Sequence, residues 1–121
     1  MQFDNEIFDT DNCYDNSTNY RFTPTTSGKY FVYVNINLDS STLTTLDQAF
    51  SYIRKNGTTY SYANVSFFSN YASRINMIVT AVIEMNGSTD YLEGFGRVNN
   101  TSGTPRFSGS NTVFGAYKII E

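Results

Sequence analysis

Apolar and polar residues alternate along this chain far more often than they recur at helical spacing, and the strongest alternation runs from Tyr30 to Leu38. Tyr30, Val32, Val34, Ile36 and Leu38 share one face, while Phe31, Tyr33, Asn35 and Asn37 share the other. The first face is wholly apolar and belongs to a core. The second opens on two aromatic rings, which a solvated face does not need, so both sides of this strand are expected to be covered. A polar turn precedes it, where Pro24 fixes its own φ and Gly28 permits a sharp bend. A second long alternation, Ser73 to Met85, behaves alike. Ile75, Met77, Val79, Ala81, Ile83 and Met85 lie on one side, and Asn76, Ile78, Thr80, Val82 and Glu84 on the other.

Shorter segments fill the rest. Residues 2–8 predict a short edge strand anchored by Phe3, and residues 9–20 a loop with a brief bridge around Tyr14. After a polar connection over residues 39–46, residues 47–55 predict a strand with Phe50, Tyr52 and Arg54 on one face. The Asn56-Gly57 pair closes a hairpin onto residues 58–63, because both residues tolerate positive φ. Residues 64–70 read as a further short strand. Asn86-Gly87 reads as a second hairpin, pairing the Ser73–Met85 strand with residues 89–98, in which Gly94 and Gly96 mark a bulge or a close approach. Residues 99–111 form a polar loop containing Pro105, and residues 112–120 the final strand. Eight to ten strands without an amphipathic helix predict a single all-β domain over residues 1–121. The architecture expected is an antiparallel sandwich, a jelly roll of about ten strands.

Composition agrees with that fold class. Ten Tyr, ten Phe and much Thr and Val suit a pleated surface. The net charge of −3, with eight Lys and Arg and no basic run, argues against a nucleic-acid or anionic-membrane partner. One cysteine, Cys13, excludes an intrachain disulfide, and the absence of His removes the commonest general base and metal ligand. The sequence shows no stretch of membrane length and no positively charged leader, so a chain that folds where it is made is expected.

Candidate chemistry is sparse. Asp9, Asp11 and Asp15 stand at the alternate spacing of a calcium loop, but Cys13 occupies a ligand position and Tyr14 the place of the turn glycine. A solvated acidic loop is the simpler reading. Asp90 and Glu93 could be drawn as a carboxylate pair, yet nothing gives them a cleft, and Asp90 reads better as a turn-capping acceptor. No nucleophile–base arrangement or phosphate loop can be assembled, so no catalytic residue is assigned. Asn-x-Ser/Thr triplets begin at Asn16, Asn56, Asn64, Asn86, Asn99 and Asn100, a number that this composition produces by chance. Tyr60, Tyr62 and Tyr71, interspersed with Asn and Ser, form a candidate ligand surface for glycan or protein.

The ordered landmarks resemble the globular C1q-like domain of the C1q/tumour-necrosis-factor jelly-roll superfamily. Phe22, Pro24, Gly28 and Tyr30 follow the order of the family's Phe-Pro-Gly-Tyr segment, with one residue fewer before Pro and one more after it. Lys55-Asn56-Gly57 matches its strand-ending triplet. The apolar strand Ile75–Met85 leads to Asp90, Tyr91 and Leu92, although Ser88 and Thr89 split the family's Gly-Asp pair. Thr112, Phe114, Gly115 and Ile119 stand for the closing segment, with Phe114 directly before Gly115. The resemblance spans about residues 20–121, through order and spacing rather than one motif. It implies a ten-stranded jelly roll in a tight homotrimer, with Phe31, Tyr33, Ile78, Val82 and Tyr117 buried between subunits. It also adds slightly to the calcium reading, since some such domains bind calcium. Lacking catalytic machinery, a leader or a collagen-like stalk, the chain is expected to be a non-enzymatic virion protein, as in a bacteriophage capsid decoration, head fibre or tail tip. Its partners would be itself, other virion proteins and a host-surface glycan or protein. The alternative is an extracellular C1q-like recognition module.

Overall fold

β-Branched and aromatic side chains favour the pleated backbone, where they pack against neighbours on the same face. The computed structural model describes Phe3, Asn5, Asp9, residues 11–109 and residues 111–119, and among them it holds nine strands and no helix. They are β1 (Tyr14–Asp15), β2 (Arg21–Phe22), β3 (Gly28–Ser40), β4 (Leu46–Lys55), β5 (Thr58–Ser66), β6 (Arg74–Met85), β7 (Leu92–Asn100), β8 (Pro105–Phe107) and β9 (Val113–Lys118). One sheet has the order β1-β2-β7-β4-β5, called sheet A below. In the other, sheet B, β3 is central: β6 pairs along one side, while β8 and β9 pair with opposite ends of the other side. Every pairing is antiparallel, and the two sheets make a sandwich of the jelly-roll type.

The inner face of β3 is the core the alternation predicted. Val32, Val34, Ile36 and Leu38 are fully buried, and they meet Ile75, Val79 and Ile83 of β6 and Ala49, Ile53 and Leu92 of sheet A. Tyr30 is nearly buried as well, its hydroxyl donating to Thr26 O at 2.7 Å. Burial of the ring pushes the Tyr30 hydroxyl pKa up. Phe3 packs with Phe114 at a ring distance of 6.0 Å and against Gly94, as the anchor expected near the start of the chain.

Three expectations need correction. Asn86-Gly87 does not make a hairpin: β6 pairs with β3, whereas β7 pairs with β4 and β2 in the other sheet. The Asn86 side-chain oxygen accepts from the N–H groups of Ser88, Thr89 and Asp90, which winds residues 86–91 into a longer loop. That loop lets Met85 and Leu92 bury in opposing sheets. Second, residues 64–70 are not a separate strand, because β5 runs unbroken to Ser66. Third, the segment read as a polar loop over residues 99–111 contains β8, which pairs with Leu38–Ser40. Nine strands among the described residues agree with the expectation of about ten, and the strand read over residues 2–8 lies outside the described residues apart from Phe3 and Asn5.

The Asn56-Gly57 turn is as read. Both residues have positive φ, 51° and 80°, the conformation that a two-residue hairpin of this twist demands. Asn56 also ties that turn to the β6–β7 loop: its N–H donates to Tyr91 O at 3.0 Å and its Nδ2 to Asp90 Oδ1 at 2.8 Å. Lys55 Nζ lies 3.2 Å from Asp90 Oδ2. Among the described residues β5 and β6 are edge strands, each hydrogen-bonded on one side only, and they run along the same flank of the sandwich. The Tyr60 hydroxyl reaches Val82 O across that flank at 3.5 Å.

Candidate functional site

A strand's two faces take opposite roles, so the outer residues of β3 bring their cross-strand partners with them. Phe31 sits between Val82 of β6 and Tyr117 of β9, Tyr33 between Thr80 and Gly115, and Asn35 between Ile78 and Val113. Phe31 and Tyr33 are half-buried, whereas Ile78, Val82 and Tyr117 are 57%, 51% and 58% exposed. Phe31 lies 5.3 Å from Tyr117 and 6.3 Å from Tyr33 by ring centroid. The phenol of Tyr33 rests on bare Gly115, where a Cβ would collide with the ring. The five residues expected on this face are therefore brought together. Charge appears at both ends: Lys29 stands opposite Glu84 at one, and Asp39, flanked by Arg74 and Arg106, closes the other. Between the rings and Asp39, covered Asn35 Oδ1 and Asn37 Oδ1 have no donor among the described residues.

The outer face of sheet A is chemically different. Four cross-strand rows run down β7, β4 and β5: Asn99–Gln48–Ser66, Arg97–Phe50–Asn64, Phe95–Tyr52–Tyr62, and Glu93–Arg54. In the first row Asn99 Nδ2 donates to Gln48 Oε1 and Gln48 Nε2 donates to Ser66 Oγ, each at 2.9 Å. Phe50 and Tyr52 are near-parallel, 5.6 Å apart at 7°, and Tyr52 lies 5.9 Å from Tyr62. The Arg97 guanidinium stands 5.5 Å over Phe50 and that of Arg54 stands 4.7 Å over Phe95.

Of the candidate ligand surface, Tyr62 alone joins this row of rings. A bulge between Ile53 and Arg54 shifts the register of β5, and Tyr60 turns to β6 instead. Tyr71 lies half-buried in the β5–β6 connection. Phe50, Tyr52 and Arg54 were legible as one face of β4, but not the arrival of Arg97 and Phe95 beside them.

Asp9, Asp11 and Asp15 do not converge. Among the described residues no group of three potential metal ligands forms. Asp15 accepts from the backbone N–H groups of Thr18, Ser17 and Asn19, which hold its carboxyl well below the usual range. Asp9 Oδ2 accepts from Tyr14 N at 2.7 Å. Asp90 caps the loop as expected, and the Asn56 amide, then Lys55 and Asn86 N–H, hold its carboxyl below the ordinary value. The hollow beside Cys13, Asp15, Asn19 and Arg21 and that beside Lys55, Glu84, Asn86 and Asp90 are both open to solvent. No described helix is long and apolar enough to cross a membrane. Compared with known proteins, the chain matches no family model and no curated sequence, so its two outer faces are read from their own chemistry.

Proposed function

We propose that this chain is a non-enzymatic structural protein that works as a homotrimer of C1q-like subunits, within a virion, as a capsid decoration, head fibre or tail tip. The observation that carries the self-assembly is the outer face of sheet B. Ile78, Val82 and Tyr117 leave half or more of their surface in water, around the half-buried Phe31 and Tyr33. Isolated exposed apolar residues are ordinary, but a contiguous set on one flat sheet face fits an interaction surface. Covering each of the three exposed side chains is worth about 0.8–1.5 kcal/mol, half of the full burial value. The arrangement also has the anatomy of an interface, an uncharged centre with Lys29 and Glu84 at one margin and Asp39, Arg74 and Arg106 at the other.

A second copy satisfies this face better than an unrelated partner, because an apolar patch repeated on identical chains closes naturally about a rotation axis. In this reading the trimer is a rigid pedestal. The N-terminal residues dock on the particle, and loops at the opposite end face solvent or a host surface. Sedimentation velocity of the purified chain at micromolar concentration tests the assembly: a trimer is expected, and a monomer overturns it. A charge at Tyr33 should weaken assembly more than the same charge at Tyr60, and equal tolerance would mean the wrong face.

A further inference from the structure

We infer that the outer face of sheet A is a binding site for an acidic saccharide, its sugar ring lying on Tyr52 and Tyr62 and its carboxylate on Arg97. The row Phe95–Tyr52–Tyr62 presents ring surface without an aliphatic side chain, and Tyr62 is 58% exposed. Such rings take the C–H faces of a pyranose at little cost in side-chain entropy. A saccharide also needs planar groups that donate and accept together. Asn64 is exposed beside Phe50, and in the Asn99–Gln48–Ser66 chain Ser66 retains its own O–H to donate and Asn99 its oxygen to accept.

Charge settles which saccharide. Arg54 is already engaged, donating to Gly57 O at 2.7 Å and lying beside Glu93. Arg97 is exposed, held over Phe50, and makes no ion pair among the described residues. Among the described residues that leaves Arg97 as the exposed cation next to the rings, matched to one carboxylate.

Other occupants fit less well. A dry contact with a second copy would strand Arg97, Glu93 and Arg54 away from water. A nucleic acid needs several phosphate contacts, and among the described residues this face offers one exposed cation, Arg97. An extended acidic peptide would pair along the open edge of β5, whereas Arg97, Phe50 and Tyr52 stand on the outer face of β7 and β4, which are paired on both sides. The inference stands apart from the assembly proposal, because it uses the opposite sheet.

The test is biolayer interferometry of the whole chain on immobilised polygalacturonate and polysialate, two sources of the same carboxylate-bearing sugar chemistry. Methyl-esterified polygalacturonate, polyglutamate and single-stranded oligothymidylate are the controls. Binding to one or both acidic polysaccharides is expected, about tenfold weaker after esterification and in R97Q, and similarly weakened in Y62A. Tyr62 and Arg97 are exposed, so both variants keep the fold, with circular dichroism as the check. Binding to neither polysaccharide, equal or stronger binding of polyglutamate or oligothymidylate, or unchanged binding in the folded variants would each overturn the inference.

Discussion

The two outer faces of this sandwich start from a similar stock of rings and end in different chemistry. On sheet B, Phe31, Tyr33 and Tyr117 are joined by Ile78 and Val82, with charge confined to the two ends. On sheet A, Phe50, Tyr52, Tyr62 and Phe95 are joined by Arg54, Arg97 and a chain of amides. Aliphatic neighbours make the first surface costly to leave wet and cheap to dry. Guanidinium and amide neighbours make the second costly to dry, unless the ligand supplies hydrogen bonds of its own. Aromatic content alone therefore says little about what a sheet face meets; the residues between the rings decide it.

The largest effect separates the fold from the sheet B face. Ile83 is fully buried and its neighbour Val82 is 51% exposed on the reverse side. Ile83→Ala should cost about 2–5 kcal/mol in urea unfolding. Val82→Ala should cost under about 1 kcal/mol in the monomer. Similar losses at both would mean that the outer face holds the fold, and the comparison of faces would break.

Next, a lysine placed on each face should act differently. Ile78→Lys should weaken self-association at least about tenfold by sedimentation while shifting monomer stability by no more than about 0.5 kcal/mol. Asn64→Lys on sheet A should leave association unchanged. A smaller effect is expected from Gly115→Ala, which forces the Tyr33 ring off its seat. The ring can swing outward, so the stability loss should be about 1 kcal/mol, at the low end of overpacking. Association should fall with it, and a variant that unfolds less easily than the parent would contradict the packing.

The smallest effect concerns two carboxylates outside both faces. Asp15 and Asp90 have folded pKa values below their ordinary 3.8. Their contribution to stability is thus complete above the ordinary value and is lost as pH falls through the lowered folded values. Asp15→Asn and Asp90→Asn should lower the urea midpoint at pH 7. The difference from the parent should shrink on acidification below the ordinary carboxylate value, with binding and assembly at neutral pH untouched.

The strand interiors were legible because the inner positions of β3 and β6 repeat every second residue without interruption. The turn at Asn56-Gly57 was legible because few residue pairs tolerate its backbone. Sheet membership was not. Asn86-Gly87 carries the same local signal as Asn56-Gly57, and only the competing pull of Asn86 Oδ1 on three N–H groups makes it a loop between sheets. Β8, of three residues, is too short to show a period, and its existence depends on the far end of β3. The sheet A platform was half legible, from Phe50, Tyr52 and Arg54 on one strand. Arg97 joins them through a register fixed far away in sequence, and the bulge beside Ile53 removes Tyr60 from the row.

The flank where β5 and β6 run unpaired sets a hazard as well as a shape. Two long edges with open N–H and C=O groups invite strands from other molecules, and the Tyr60 side chain lies across that flank at Val82. Removing its ring would leave a longer stretch of bare edge, and the chain would then be prone to add sheet to sheet without limit rather than to stop at a closed assembly.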